Sequence, residues 1–398
     1  MRGIFLVIAL CVTAWASWSF YNYFLDASAP TLEVAGIAPE GCYAGDIQCI
    51  VNGNDGYKVA DISVWLDGKS LVNHYKINRK KFEYIFPIAS KTIPNGKHNI
   101  KIEVQDAAYN KHATVQELTF FVDNNPLQAA FVKADVENFK AFQGRTLHIQ
   151  FQTNKEIQTA TVHALSQVYP CVPEVQNSLI YECFLPIKSD ETPNEYLFSI
   201  EIVDKVGNTL TLENKFHVVA YPFKKQQLVL NTEKIKLENE LGLSEAQLEA
   251  DLARVTAQSP KQKLWQGTFY VPCEMKGIST EFGTLRTTQE RGKYPHNALD
   301  LLGTPRGVVW ATQDGVVVLK ERYAHSGNTI VIDHGCGVLS LFFHLDSFAR
   351  ADVGDKIKKG NPIGTLGMTG YASGYHLHWE MRVNNIAIDP IQWTKHDF

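Results

Sequence analysis

Two kinds of hydrophobic pattern alternate along the chain. Between residues 30 and 221, and again from about residue 267 to the end, short runs alternate apolar and polar positions between turn residues. This period of two is the pattern of half-buried β-strands. Residues 222–266 are instead rich in charge, with Leu248 and Leu252 at helical spacing. The pattern therefore predicts a mainly β chain with a helical linker at 222–266.

The first β-type region contains an internal repeat. Residues 102–110 are similar in sequence to residues 200–208, and in both copies an alternating strand ends in an Asp-x-x-x-Asn turn. The offset is roughly 100 residues, the length of an immunoglobulin-like β-sandwich. We therefore expect two such domains, at 28–124 and 125–221, which resemble the Ig-like repeats of bacterial envelope proteins. A spacer and a binding module are both open as their role.

The amino terminus is a long apolar segment. Residues 3–25 carry no charged side chain, and this segment is long enough to cross a hydrocarbon core of about 30 Å. Trp15 and Trp18 lie near its far end, as in an aromatic belt. We expect residues 1–27 to be a transmembrane helix, single-pass in the inner membrane, with the remaining domains periplasmic. The alternative is a signal peptide cleaved after Ala14-Trp15-Ala16, which would leave a secreted or periplasmic protein.

Charge and cysteine usage agree with an exported protein. The 398 residues have a formal net charge of -4, so no basic field favours nucleic acid, and we expect a monomer. Six cysteines follow the apolar segment, and their spacing suggests three pairs typical of an oxidising compartment. The pairs are Cys42 with Cys49, Cys171 with Cys183 and, more weakly, Cys273 with Cys336.

Histidines near the carboxyl terminus carry the candidate chemistry. His376 and His378 are two residues apart in a predicted strand, so both rings face one cleft roughly 7 Å apart. One can bind a metal while the other acts as an acid or base. His296 and Asp300 add an imidazole and a carboxylate. Two His and one Asp around an open fourth position form a catalytic zinc site, so the pattern predicts a zinc hydrolase.

Three more histidines lie between these two motifs. His344 follows an apolar run and is a further inward-facing candidate. His325 and His334 lie in glycine-rich turns, and we interpret both as structural.

Residues 271–393 resemble the lysostaphin/LytM-type zinc endopeptidases, which cut peptide bonds in peptidoglycan. The resemblance covers about a third of the chain and rests on many ordered landmarks. These are residues 282–286, 296–301, 307–311, 314–317, 327–335, 344–345, 353–360, 363–364, 369–370, 374–380 and 389–390. The resemblance implies an antiparallel-β peptidase domain, which we place at 267–398.

The resemblance also implies roles for individual residues. His296, Asp300 and His378 would hold Zn²⁺, and His344 and His376 would be the catalytic histidines beside it. Arg286 corresponds to the family's arginine upstream of the first ligand, and we expect it to bind substrate. Phe342 replaces a frequent Tyr and Tyr375 a frequent Pro, but neither is a ligand.

The expected function is zinc-dependent hydrolysis of peptide bonds in peptidoglycan stem or cross-link peptides. Two alternatives remain: a catalytically silent module that binds the wall or activates another hydrolase, and a peptidase acting on secreted or host proteins. The charged linker at 222–266 would either set the reach from membrane to wall or restrict access to the cleft.

Overall fold

The computed structural model describes the backbone of residues 2–227, 232–288, 292–396 and 398, with side chains from residue 11 onward except at residue 136. Strands account for 51% of the structure and helices for 13%, which confirms the mainly β fold. The chain divides into two compact units. The first contains Met1–Pro126 with Lys205–Asn208, and the second contains Leu127–Asp204 with Thr209–Phe398.

The first unit opens with helix α1, Arg2–Leu25. Over the part of the chain that the structure describes, no helix is both long and apolar enough to cross a membrane. The transmembrane helix expected from the sequence is therefore not supported.

The rest of the first unit is one six-stranded sheet, in which β4 pairs with β3 and the other strands follow the order β1-β3-β5-β6-β2. Asp67 and Gly68 both have positive φ and join β3 to β4 as a two-residue hairpin, the turn that Asp-Gly favours. The immunoglobulin-like assignment of this unit stays a prediction. The strands are β1 (Thr31–Ala35), β2 (Cys42–Tyr43), β3 (Asp46–Leu66), β4 (Lys69–Ala89), β5 (Gly96–Asp106) and β6 (Ala113–Val122).

The second unit begins with two sheets, a five-stranded one of order β11-β10-β14-β15-β8 and a four-stranded one of order β12-β13-β9-β7. Phe151 of one sheet and Ile200 of the other belong to one buried core, which makes this region a sandwich. The strands are β7 (Ala129–Phe131), β8 (Lys140–Phe142), β9 (Thr146–Thr153), β10 (Ile157–Ala164), β11 (Gln167–Pro170), β12 (Val172–Pro173), β13 (Ile180–Pro186), β14 (Glu195–Asp204) and β15 (Thr209–Val219).

The cysteines of the second unit differ in their surroundings. Cys171 and Cys183 lie side by side, and their hydrogen bond together with burial raises the pKa of the Cys183 thiol. A disulfide between them stays a prediction. Cys273 and Cys336 are also buried thiols, and their pairing likewise stays a prediction.

The linker forms strand β16 (Lys225–Gln227) and helices α2 (Thr232–Leu241) and α3 (Glu245–Ala257). Ser244 caps α3, where its hydroxyl accepts a hydrogen bond from the Gln247 amide at 3.2 Å. Leu248 and Leu252 pack with Tyr323 in a small buried cluster, so the apolar face of α3 docks on the neighbouring sheet.

An eight-stranded sheet dominates the carboxyl-terminal part, with β29 paired to β28 and the order β17-β20-β28-β24-β23-β22-β26. Smaller sheets have the orders β16-β18-β19 and β21-β27-β25, and helix α4 (Pro390–Lys395) follows. The strands are β17 (Gly277–Thr280), β18 (Leu285–Thr288), β19 (Gly292–Pro295), β20 (Leu299–Leu302), β21 (Val308–Trp310), β22 (Gly315–Tyr323), β23 (Gly327–Asp333), β24 (Val338–Leu345), β25 (Ser347–Phe348), β26 (Lys356–Ile357), β27 (Pro362–Thr365), β28 (Leu377–Val383) and β29 (Ile386–Ile388).

Candidate metal centre

The neighbouring strands β20, β28 and β24 bring the predicted site residues together. Asp300 on β20 lies directly opposite His378 on β28, and His378 lies opposite Phe343 on β24. His296 precedes β20 and is fixed by two backbone hydrogen bonds, its amide to the Thr284 carbonyl at 2.9 Å and its carbonyl from the Gly283 amide at 2.7 Å. Cross-strand register therefore assembles residues that are some eighty positions apart in sequence.

The three predicted ligands form a compact triangle of donor atoms. His296 Nε2 lies 3.1 Å from Asp300 Oδ1, which in turn lies 3.0 Å from His378 Nδ1. The two nitrogens are 3.3 Å apart, and all three residues are buried. Tetrahedral zinc with bonds of about 2.0–2.1 Å separates its ligands by about 3.3 Å, so the triangle has the size of one face of a zinc site.

Hydrogen bonds outside the triangle set which atoms of the ligands face inward. His296 Nδ1 lies 3.3 Å from the Glu281 carbonyl oxygen, which can only accept, so this nitrogen carries the proton and Nε2 keeps its lone pair. His378 Nε2 faces Glu380 Oε2 at 3.7 Å, which leaves Nδ1 directed at the centre. Lone pairs that converge this closely repel unless a proton or a metal ion lies between them, so the donor set fits a metal.

The ionisation of Asp300 and His296 also suits a metal site. Burial alone would raise the pKa of Asp300, but its close contacts with His296 and His378 hold it well below its ordinary value. Burial lowers the pKa of His296 despite its contact with Asp300, so that ring is neutral. Burial would also lower the pKa of His378, yet Asp300 and Glu380 outweigh it and raise that pKa. An ionised carboxylate and a neutral imidazole are the forms that bind metals.

His344 and His376 lie beside the triangle, with ring centroids 4.8 Å apart. His344 Nδ1 donates to the Thr369 carbonyl at 2.8 Å and His376 Nδ1 to the Gly374 carbonyl at 2.9 Å. The Nε2 atom of each neutral ring therefore keeps its lone pair, and that of His376 lies 3.7 Å from Asp300 Oδ1. Burial lowers the pKa of both rings, well below the ordinary value for His344. Both histidines can accept a proton next to the metal centre.

The backbone of His344 is held in an unusual conformation. Its φ is +62°, in the left-handed region that non-glycine residues rarely occupy. Its amide donates to the Ser326 carbonyl at 2.8 Å, which fixes the strand end and turns the ring towards the cleft. Such strain is common where a catalytic side chain must be held in place.

Arg286 contacts the metal centre itself. Its Nη2 atom donates to Asp300 Oδ2 at 2.5 Å, so Asp300 presents one oxygen to the histidines and the other to the guanidinium. Arg286 also lines the cleft beside the triangle. Its expected part in substrate binding stays a prediction.

The cleft includes residues that the sequence did not indicate. His325, interpreted above as structural, lines it and packs edge-on against Tyr371 at 5.1 Å. The segments that carry His325 and Tyr371 meet at Gly327 and Gly370, which both have positive φ. A Cβ on Gly370 would lie 2.5 Å from the Gly327 nitrogen, so the backbones are in close contact. This glycine pair is the sequence signal that could have placed His325 near the site. The other newly found lining residues are Gln226, Ser279, Thr280, Tyr294, Ala372 and Ser373.

His334, in contrast, is structural as its turn position predicts. Its Nδ1 donates to the Asp314 carbonyl at 2.7 Å, and its Nε2 lies 2.9 Å from Ser340 Oγ. Complete burial lowers its pKa to about 4.

Helix α2 lies along the loop that carries Tyr371. Lys234 Nζ donates to the carbonyls of Met368 at 2.7 Å and Ala372 at 2.6 Å, and the Tyr371 hydroxyl donates to Asn239 at 2.6 Å. The linker therefore helps to shape the rim of the cleft.

Residues 294–390 match the model of a family described as Peptidase family M23. Among curated proteins, the chain is 35% identical over 96 residues to the DD-carboxypeptidase/endopeptidase Mpg of Neisseria meningitidis, covering 24% of this chain and 22% of that protein. It is 32% identical over 120 residues to the peptidoglycan DD-endopeptidase ShyC of Vibrio cholerae, covering 30% of this chain and 28% of that one. The matched segments thus span only about a quarter of these relatives.

Two solved structures align with parts of this chain. A structure from Pseudomonas aeruginosa named for peptidase M23 aligns with 65% of this chain and 97% of its own, at 22% identity and a TM-score of 0.46. The catalytic domain of lysostaphin from Staphylococcus simulans aligns with 30% of this chain and 92% of its own, at 25% identity and a TM-score of 0.28. Both TM-scores are below 0.5.

Proposed function

Because residues 294–390 form a peptidase family M23 domain, we propose that this chain is a zinc-dependent endopeptidase acting on the stem or cross-link peptides of peptidoglycan. The observation that carries the proposal is the triangle of His296, Asp300 and His378, with two neutral histidines beside it. Relatives named as peptidoglycan DD-endopeptidases support the choice of substrate.

The donor set would hold zinc through His296 Nε2, Asp300 Oδ1 and His378 Nδ1. When bound, zinc supplies Lewis-acid chemistry, because it makes a water molecule acidic near pH 7 and polarises an amide carbonyl. Three protein ligands leave a fourth position for this chemistry, unlike a closed structural site.

His344 and His376 supply the proton transfers. Their Nε2 lone pairs face the cleft, while each Nδ1–H is held by a backbone carbonyl that fixes the tautomer. Amide hydrolysis needs one group to take a proton from the attacking water and one to deliver a proton to the leaving amine. The two rings are placed for these two tasks, and the Arg286 guanidinium keeps Asp300 oriented.

The test is hydrolysis of purified cross-linked muropeptides by the whole chain. We expect His378→Ala and Asp300→Ala to reduce cleavage to the level of metal-stripped protein, and added zinc to restore the stripped wild type. His163→Ala is the matched control, since His163 is an exposed histidine of the second unit far along the sequence from the site. It should cleave as the wild type does.

The same assay separates the alternatives. Full activity of the ligand variants or of metal-stripped protein would contradict the proposal. A chain that binds zinc and cleaves nothing alone, but stimulates a separate wall hydrolase, would be an activator. Cleavage of casein in preference to muropeptides would indicate a protein substrate.

A further inference from the structure

A line of charged side chains leads from the metal centre to helix α3. His378 Nε2 faces Glu380 Oε2 at 3.7 Å, and Glu380 Oε1 accepts a hydrogen bond from Arg382 Nε at 2.5 Å. The two terminal nitrogens of Arg382 each donate to one carboxylate oxygen of Glu249, both at 2.8 Å. Glu249 thus reaches the ligand through two intervening side chains.

Two of these three charged side chains are buried, whereas the side chain of Glu249 is half exposed. Glu380 is 3% exposed and Arg382 is 6% exposed, so neither charge can be satisfied by bulk water. A buried ion pair is destabilised strongly when one partner is removed, because the other charge stays in an apolar surrounding. Arg382 pairs with Glu249 in a two-pronged geometry, which fixes direction as well as distance. Loss of Glu249 would leave the terminal nitrogens of Arg382 with only Asn385 Oδ1, at 3.0 Å, as a partner, and we expect Arg382 to shift and Glu380 with it.

The position of His378 depends on Glu380. The His378 ring must present Nδ1 to the metal centre. The plane of the ring is set by stacking on Phe343, with ring centroids 4.9 Å apart and an interplanar angle of 4°. Stacking fixes the plane but not which edge faces inward. The carboxylate of Glu380 at Nε2 fixes the edge. Partners of this kind influence metal affinity almost as much as the ligands do.

We propose that Glu249, on the linker helix, is a positioning residue for the metal ligand His378, acting through Arg382 and Glu380. Retention of zinc then depends on the contact of Glu249 with Arg382, not on the docking of α3 in general. This inference rests on the proposed metal centre. It assigns the linker a part in metal binding that neither a spacer nor a cover over the cleft would have.

A purely structural ion pair is the competing explanation, and α3 offers a matched control. Asp251, on the same helix, accepts a hydrogen bond from the Tyr323 hydroxyl at 2.9 Å and so also ties α3 to the sheet. This second tether does not lead to a metal ligand. Asp251→Asn should weaken helix docking without disturbing His378.

The experiment measures zinc affinity of the whole chain by competition with a chelator. We expect Glu380→Gln to weaken zinc binding about 10- to 100-fold and Glu249→Gln about 3- to 10-fold. The double variant should bind zinc no more weakly than Glu380→Gln alone, because both residues act along one line. Asp251→Asn should bind zinc as the wild type does. Circular dichroism checks that each variant is folded. If Glu249→Gln does not fold, Glu249→Asp, which keeps the carboxylate on a shorter side chain, is measured in its place.

Cobalt in place of zinc gives a second readout that a merely structural ion pair would not change. The visible absorption of Co²⁺ should shift in Glu249→Gln and remain unchanged in Asp251→Asn. A folded Glu249→Gln variant with the zinc affinity and cobalt spectrum of the wild type would overturn the role of Glu249 but not the proposed function. A loss of zinc affinity in Asp251→Asn equal to that in Glu249→Gln would do the same. A wild-type chain that binds no zinc would overturn the proposed function itself.

Discussion

At the scale of single residues, His344 and His376 show how a pair of neutral bases is prepared. Each ring gives its Nδ1–H to a backbone carbonyl, and burial keeps both rings uncharged. Each Nε2 therefore keeps its lone pair and faces the cleft before substrate binds. His344 carries the additional cost of a left-handed backbone, which the hydrogen bond to Ser326 offsets.

This arrangement predicts that the two histidines are needed for turnover but not for metal. His344→Ala should lower kcat on muropeptides about 100- to 10,000-fold, the usual contribution of a positioned acid or base. Zinc affinity should remain near that of the wild type, because His344 is not among the triangle's donors. Steady-state kinetics with metal analysis of the same sample checks both. A variant that loses zinc together with activity would make His344 a ligand instead.

The sequence predicted the triangle better than it predicted the cleft. Period-two spacing and the family resemblance predicted three ligands and two catalytic histidines, and the structure brings these five residues together. His376 lies just before β28 rather than within it, so the strand argument was right about direction and slightly wrong about extent. His325 and Tyr371 were missed because the signal that joins their loops is a pair of glycines, Gly327 and Gly370, that lie far apart in the sequence.

At the scale of elements, one buried carboxylate joins the sandwich of the second unit to the linker. Glu182 on β13 is 1% exposed. It accepts a hydrogen bond from His148 of β9 at 2.9 Å and another from Lys263, just beyond α3, at 2.8 Å. Burial alone would raise the pKa of Glu182, but these two partners hold it below its ordinary value.

The lowered pKa of Glu182 predicts a pH-dependent contribution to stability. A carboxyl group whose pKa is lower in the folded state stabilises that state above its unfolded pKa of about 4.3, and this contribution is lost as the pH falls through the folded value. Glu182→Gln should therefore lower the free energy of unfolding by about 3 kcal/mol at pH 7. The difference from the wild type should shrink below about pH 4.

Urea unfolding at pH 7 and pH 3.5 measures this difference, with Glu201→Gln as the control. Glu201 faces His163 at 3.6 Å in the same sandwich but is 53% exposed, so its pairing should contribute little. A Glu182→Gln effect that is equal at both pH values would contradict the argument.

Elements themselves were largely predictable, while their pairing was not. Helix α3, which Ser244 caps in the structure, and the alternating strands follow from local sequence. Register is set by contacts between distant segments, so the placement of β28 between β20 and β24 could not be derived from spacing alone. The pairing of β16 with β18 is of the same kind, since it joins the linker to the peptidase region.

At the scale of the whole molecule, the second sandwich and the peptidase region share one core. Phe184 of the sandwich packs against Trp265 and Trp393, with ring centroids 5.5 Å and 5.7 Å apart. The indole nitrogen of Trp393 donates to Thr146 at 3.2 Å. The sequence suggested boundaries at 221 and 266 because composition changes there, but composition does not report which apolar faces meet.

The shared core predicts that the peptidase region depends on the sandwich for stability. Residues 267–398 alone would lack Phe184 and Trp265 and expose Trp393, each large side chain being worth about 1.5–3 kcal/mol of burial. We expect residues 127–398 to unfold cooperatively on heating. Residues 267–398 should melt more than about 10 °C lower or fail to fold.

A point variant tests the same idea without truncation. Phe184→Ala in the whole chain should cost about 3–5 kcal/mol, because it removes a fully packed ring from the junction. Phe142→Ala is the control, since Phe142 is 49% exposed on the same sandwich. Equal melting temperatures for residues 267–398 and 127–398, with a silent Phe184→Ala, would show that the peptidase region is an independent domain. The expected outcome instead makes the sandwich part of the scaffold that holds β28, and with it the ligand His378, in place.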